Sequence, residues 1–236
     1  MRVITSLLFV AWLYLSMAIM GLLFLPFLVL PRSATMFGIR VFTRVVMVGL
    51  RLICGIRTEI RGREHMPEGP VIYAGKHQCM YDIFIPFLVL RDPAIIMKKE
   101  LLWYPFLGWY ALKSEMIPID RAGTTKTLKA MVVEVKKRAA NYRQIVIFPE
   151  GTRGDVGQPG DYKPGIAALY RELDMPVTPL ALNCGSHWDK SLLLKPGTIV
   201  FQYLEPIPAG LKRAEFMREL QTRIDGATQA LETEGL

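Results

Sequence analysis

Apolar and polar positions along the chain fall into three regimes. An uncharged run comes first, an amphipathic stretch follows, and then short apolar runs alternate with segments of helical period. From Val3 to Leu30 there are 28 residues without a charge. Val3 to Leu25 alone would make a helix about 35 Å long, against a hydrocarbon core of roughly 30 Å. Secretory signals have apolar cores of roughly 7 to 15 residues, so the reading predicts a retained membrane segment. Whether it spans the bilayer or enters one leaflet stays open. Pro26 and Pro31 interrupt it, and Met36 to Ile56 resumes as an apolar run broken by Arg40, Thr43, Arg44 and Arg51. At 100° per residue the three arginines share an arc of about 40°, a basic stripe suited to lipid headgroups.

Beyond residue 56 the period changes. Arg57 to Arg63 alternates like a strand, and Val71 to Tyr73, Ala94 to Met97, Met116 to Ile119, Ile145 to Phe148, Val177 to Leu182 and Ile199 to Leu204 read as further strands. Between them lie helical patterns. Ile83 to Leu90 opens on Asp82 as N-cap after a turn at Gly75, and Gly123 to about Asn141 carries Leu128, Met131, Val132, Val135 and Ala139 on one face. Lys163 to Leu173 follows, and Leu211 to Leu231 turns Phe216, Leu220, Ile224 and Leu231 inward. The alternation predicts an α/β fold, a mixed and largely parallel sheet flanked by helices, over residues 57–236, with residues 1–56 as a membrane-anchoring helix pair. The aromatic cluster Trp103, Tyr104, Phe106, Trp109 and Tyr110 suits either core or an interfacial belt.

Charge sharpens the membrane reading. The net charge is +8, and residues 1–63 hold eight arginines against one acid, Glu59, so seven of those charges fall there. Basic residues embedded in apolar runs suit anionic lipid and argue against nucleic acid as partner. Because they follow the first helix, the positive-inside rule places the α/β domain on the cytoplasmic side, hence at a cell's inner membrane. Cys54, Cys79 and Cys184 are odd in number and widely spaced, which argues against a disulfide framework or a zinc site and fits a reducing compartment. Cys79 reads as a small filler residue.

The candidate chemistry centres on Lys76 to Asp82. His77 and Asp82 are a histidine and a carboxylate five residues apart. In one continuous helix they would sit about 140° apart, so they meet only where a loop enters a helix. There a carboxylate on one ring nitrogen leaves the other to accept a proton from a hydroxyl. If the strands run parallel, their carboxyl ends gather His77, Asp82, Lys98, Arg121, Glu150 and Arg153 at one edge. Besides Glu150, that set is a base, its orienting acid and three cations, with arginines matched to phosphate. The chain holds no Walker loop, no G-x-G-x-x-G and no G-x-S-x-G, which lowers nucleotide, dinucleotide and serine-hydrolase readings. His65 and His187 read as ordinary loop residues.

Four blocks in order make the chain resemble the glycerolipid acyltransferase family. These are His77 to Asp82, Ile117-Pro118-Ile119-Asp120-Arg121, Phe148-Pro149-Glu150-Gly151-Thr152-Arg153 and Val177-Thr178-Pro179-Leu180. The likeness runs from about residue 57 to 205, and the hydrophobic helix pair resembles bacterial members. It departs at Lys76, where asparagine or serine is common, and at Ser114-Glu115. The resemblance implies acyl transfer from acyl-CoA or acyl carrier protein to the sn-2 hydroxyl of lysophosphatidic acid, giving phosphatidic acid in phospholipid synthesis, without cofactor or metal. It implies His77 as general base oriented by Asp82, with Lys98, Arg121, Glu150, Gly151, Thr152 and Arg153 around the glycerol phosphate. Another lyso-lipid acceptor such as lyso-ornithine lipid, or a non-catalytic module that docks on anionic membrane, remains open.

Overall fold

The computed structural model describes residues 2–120, 125–188 and 193–234. Helix α1, Arg2–Leu23, and helix α2, Arg32–Cys54, form an antiparallel pair joined by a short turn containing Pro26 and Pro31. Their close approach needs glycine. A Cβ on Gly49 would lie 2.4 Å from the Trp12 indole, whose nitrogen donates to the Val45 carbonyl at 3.0 Å. Only a narrow stripe of α1 is buried: Ser6, Phe9, Leu13 and Gly21. Val3, Ile4, Leu7, Leu8, Tyr14, Leu15, Ile19, Leu22 and Leu23 are each 54–66% exposed. Large apolar side chains each contribute about 1.5–3 kcal/mol on leaving water, so this face has the chemistry of a lipid-facing surface. By length and composition α1 is long and apolar enough to cross a membrane.

The pair does not stand apart from the sheet. Phe9 meets Trp188 edge-on at 5.3 Å, and Ser6 Oγ accepts from the Leu194 amide at 3.0 Å. At the other end of α1, Tyr110 donates to the Gly21 carbonyl at 2.9 Å. The helix therefore lies along the domain, touching it near both ends. One apolar cluster joins Phe9, Leu13, Val46 and Leu50 to Tyr73, Val146 and Leu180 of the sheet. Arg40 departs from the expected headgroup stripe: it reaches back to the carbonyls of Phe87 and Arg91, while Arg44 and Arg51 stay exposed.

After the pair come β1, Ile56–Arg61, then β2, Ile72–Gly75, and two single-turn helices, α3 at Tyr81–Phe84 and α4 at Pro86–Val89. Strand β3 is Pro93–Lys98, α5 Leu107–Lys113, β4 Ile117–Ile119, α6 Thr125–Ala140 and β5 Gln144–Ile147. The chain continues through α7, Gly165–Leu173, β6, Val177–Leu182, α8, Cys184–His187, β7, Gly197–Tyr203, and α9, Arg213–Glu234. Among the described residues seven strands make one sheet ordered β1-β7-β6-β2-β5-β3-β4. Neighbours are parallel except for β6 with β7. The expected mixed, largely parallel sheet is therefore present.

Alternation along each strand gives the sheet two apolar faces. Tyr73, Ile95, Val146 and Leu180 point toward α1 and α2. Ile72, Ala74, Ala94, Ile96, Ile145 and Ile147 point the other way, under Val135 of α6, Ile166 of α7 and Phe216, Leu220 and Ile224 of α9. Local differences from expectation have local causes. Gly75 is the last residue of β2 rather than a turn, because it pairs with Leu180 on β6. Ile83 to Leu90 is two helical turns, not one helix, since Pro86 lacks the amide that would continue the ladder. The aromatic segment divides: Trp103 is 87% and Tyr104 60% exposed, as an interfacial belt requires, while the Phe106 ring packs where a Gly21 side chain would be.

Candidate active site

Strand register builds the site. Ile72 pairs with Ile145 and Ala74 with Ile147, so β2 and β5 end level with each other. The chain leaves β2 into Lys76-His77 and leaves β5 into Phe148 to Arg153, placing the first and third sequence blocks side by side. The His77 backbone is held from both directions: its amide donates to Glu150 Oε1 at 3.2 Å, and its carbonyl accepts from the Gly154 amide at 2.8 Å. A Cβ on Gly154 would lie 2.5 Å from Glu150 Oε2, so any larger residue there would displace the carboxyl that holds the His77 amide.

Asp82 is fully buried within the first turn of α3, whose N-cap is Met80, so it is not the helix cap expected from sequence. Its Oδ2 instead caps the preceding loop, accepting from the amides of Gln78 at 2.7 Å and Cys79 at 3.1 Å. The same oxygen lies 2.9 Å from His77 Nδ1. A carboxylate in this setting only accepts, so Nδ1 carries the ring proton and Nε2 presents a lone pair. The Phe148 ring stacks on the imidazole at 4.6 Å and 25°, limiting its rotation, and the His77 side chain is 12% exposed. The geometry is that of a base with a fixed tautomer and one open nitrogen.

The ligating atoms of Cys79, Asp82 and Cys184 lie within 4.8 Å of one another, a spacing that would admit a metal ion. Asp82 Oδ2 is shared by His77 and two amides while Oδ1 has no hydrogen-bond partner, and burial pushes the Cys184 thiol well above its usual value, disfavouring the thiolate a metal would need. The two cysteines are packing residues behind the aspartate.

Other expected site residues divide. Glu150 is 4% exposed and turned inward, its Oε1 3.7 Å from Lys76 Nζ as well as on the His77 amide. Gly151, Thr152 and Arg153 begin the following loop, with Thr152 and Arg153 exposed at its surface. Lys98 closes β3, one strand beyond β5, with its side chain 48% exposed and 3.9 Å from Glu100. Arg121 lies outside the described residues. His187 is no loop residue: it is buried in α8, with Nδ1 3.3 Å from the Lys195 carbonyl.

Burial is the largest influence on Glu150 and lifts its carboxyl above the usual range, offset in part by the Lys76 ammonium and the His77 amide. A carboxyl with a raised value in the folded state favours folding below its unfolded value of about 4.3, and that contribution is lost as pH rises through the raised value. Glu150→Gln keeps an acceptor for the His77 amide and cannot ionise. Its melting temperature relative to wild type is therefore expected to improve between about pH 4 and pH 7. Thermal unfolding across that range checks this, and parallel curves would contradict it.

The sequence reading missed the helix α9 side chains that reach this site. Asp225 and Glu232 contact Lys76 and Gln78, on either side of His77. The available signal was a polar stripe at Gln221, Asp225, Thr228 and Glu232, spaced three and four apart along a helix. Stacking by Phe148 was equally invisible.

The chain is similar to known proteins in sequence and in fold. Residues 57–183 match the family described as Acyltransferase. The chain is 35% identical over 176 residues to a 1-acyl-sn-glycerol-3-phosphate acyltransferase of Pseudomonas aeruginosa, covering 74% of this chain and 67% of that one. It is 32% identical over 157 residues to the protein of the same name from Limnanthes alba, covering 65% of this chain and 55% of the plant protein. The chain thus spans little more than half of that plant relative. In fold it is similar to the crystal structure of the 1-acyl-sn-glycerophosphate acyltransferase of Thermotoga maritima, with a TM-score of 0.77 over 98% of this chain and 99% of that one at 20% identity.

Proposed function

This chain belongs to the acyltransferase family, and we propose that it moves a fatty acyl group from an acyl thioester to the sn-2 hydroxyl of 1-acyl-sn-glycerol-3-phosphate. The observation that carries the reading is the His77–Asp82 pair, 2.9 Å apart with Nε2 open, inside a domain whose relatives bear that name. His77 Nε2 takes the hydroxyl proton as the oxygen bonds to the thioester carbonyl carbon. Asp82 stabilises the imidazolium across Nδ1. When the tetrahedral intermediate collapses, the carbon–sulfur bond breaks and the imidazolium returns its proton to the thiolate. The products are phosphatidic acid and free thiol, from either coenzyme A or acyl carrier protein. A thioester is already an activated acyl group, so we read the step as needing neither a covalent enzyme intermediate nor a cofactor.

Arg153 is the exposed cation nearest in sequence to Glu150, on the loop that donates to His77 through Gly154, and we assign it to the acceptor's phosphate. Lys98, at the end of β3, and Arg121 are proposed to assist. Glu150 contributes through the His77 backbone rather than by touching phosphate. Arg153→Ala is expected to raise the acceptor's KM about tenfold or more with kcat less affected, checked by varying lysophosphatidate at saturating thioester. An unchanged KM would remove Arg153 from that site.

The chain associates with membrane through the apolar face of α1. Contacts of α1 with Leu194 and Trp188 near one end and Tyr110 near the other support an orientation along the membrane, within one leaflet, since a spanning helix would leave the domain. We place the domain on the cytoplasmic face of the inner membrane, with Arg44 and Arg51 toward anionic headgroups. An acceptor and donor panel with purified protein in vesicles tests the whole reading. Acylation of lyso-ornithine lipid and not lysophosphatidate would defeat it.

A further inference from the structure

The histidine loop is tied to a helix that lies outside the segment matching the family. The match ends at residue 183, and α9 begins at Arg213. Lys76, immediately before His77, is buried with its side chain 2% exposed, and its Nζ lies 3.0 Å from Asp225 Oδ1 and 3.1 Å from the Gln158 carbonyl. Asp225 also accepts from the Tyr162 hydroxyl and the Gly160 amide, each at 3.1 Å. Gln78, immediately after His77, donates to Glu232 Oε1 at 2.6 Å, while Gly157 donates to Glu232 Oε2 at 2.9 Å. Gln78 Oε1 accepts from the Gly185 amide at 3.0 Å, so this side chain too has a single satisfied placement.

We propose that Asp225 and Glu232 of α9, acting through Lys76 and Gln78, are positioning residues that set His77 against Asp82 and Glu150. The inference rests on the reading of His77 as base. Its physical basis is the large cost of leaving a buried ammonium without a compensating charge. Lys76 therefore has one low-energy location, between Asp225 and Glu150. The same Glu150 oxygen lies 3.7 Å from that ammonium and 3.2 Å from the His77 amide nitrogen, so the place of the ion pair sets the place of the backbone. Asp225 and Glu232 stand seven residues apart, two turns of one rigid helix, and so grip the loop on both sides of the base at fixed separation. They also hold Gly157 and Gly160 of the loop that wraps Glu150. The lysine before the histidine is thereby accounted for by its partner on α9.

The test separates positioning from mere packing. In Lys76→Met with Asp225→Asn both charges of the ion pair leave together, while the new side-chain amide can accept from the Gly160 amide and donate to the Tyr162 hydroxyl, so the double variant is expected to melt within a few degrees of wild type. Its kcat per folded enzyme is expected to fall about 10- to 100-fold, with KM for both substrates within about twofold, because displacements near 1 Å at a base carry such penalties. Wild-type kcat at wild-type melting temperature would overturn the proposal. Should the double variant not fold, Asp225→Asn alone, which keeps size and one acceptor but not the charge, is expected to lower kcat about tenfold; an unaltered kcat overturns the idea equally. A readout free of substrate distinguishes this from failure of the functional reading. Carbethoxylation of His77 by diethyl pyrocarbonate, followed by mass spectrometry, is expected to run several-fold faster in the variants once the ring loses its seat. An unchanged rate would count against positioning even for a protein that acylates some other acceptor.

Discussion

His77→Ala is expected to lower kcat/KM for acyl transfer to lysophosphatidate by at least about 10³-fold, with the fold and membrane binding retained. The size follows from the chemistry. A glycerol hydroxyl is a poor nucleophile at neutral pH, and general-base assistance contributes about 10²–10⁴-fold. Alanine also removes the group through which Asp82 stabilises the transition state. The fold has little at stake, since the loop is held by the His77 backbone, through Glu150 and Gly154, and alanine keeps both of those bonds. Membrane binding rests on α1, whose lipid-facing side chains are separate from the histidine loop. Transfer of labelled acyl groups into phosphatidic acid, with vesicle sedimentation as control, measures both quantities. Residual activity above about a tenth of wild type would remove His77 from the mechanism.

Asp82→Asn is expected to lower kcat by about 10²–10³-fold while KM for both substrates moves little. An amide is nearly the same size and offers one oxygen to the Gln78 and Cys79 amides, so the loop keeps its shape. The change falls on charge at His77. One oxygen serves Nδ1 and both amides, so an asparagine that keeps its oxygen on the amides also keeps the Nδ1 proton in place, but the negative charge 2.9 Å from Nδ1 is gone and the imidazolium formed during transfer loses its partner. A folded Asp82→Asn protein within tenfold of wild-type kcat would mean that another group orients the base. Asp82→Ala is the less informative variant, because it also strips two buried backbone amides of their acceptor.

Both expectations concern residues that the chain announces by spacing, and the fold was legible to about the same depth. Val177–Leu182 stands as a strand at its expected bounds, and the inward residues Phe216, Leu220, Ile224 and Leu231 of α9 are all buried. Periods of two and 3.6 are local properties, set by the side chain's direction on its own element, so they can be read without knowing what packs on them. Polar side chains were harder. Glu150 was expected to help shape the phosphate pocket; the structure shows its carboxyl accepting from the His77 amide, because the β2–β5 register brings a backbone donor to it. Arg40 was expected among headgroups, yet it reaches the Phe87 and Arg91 carbonyls at the end of α4. A polar group takes whichever partner the tertiary structure delivers, and composition does not rank those partners in advance.

By itself, then, the sequence determined the two N-terminal helices, the α/β alternation, the basic excess beside the lipid-facing run and the histidine–aspartate spacing. Each of these follows from residues within about one element of one another. Only the tertiary structure decided that α1 lies along the domain, that β2 and β5 end side by side, and that Asp225 and Glu232 reach back across 149 and 154 residues to Lys76 and Gln78. Those contacts depend on strand order and on the packing of α9 over the sheet. They are long-range consequences of burying two apolar faces at once, and no local period carries them.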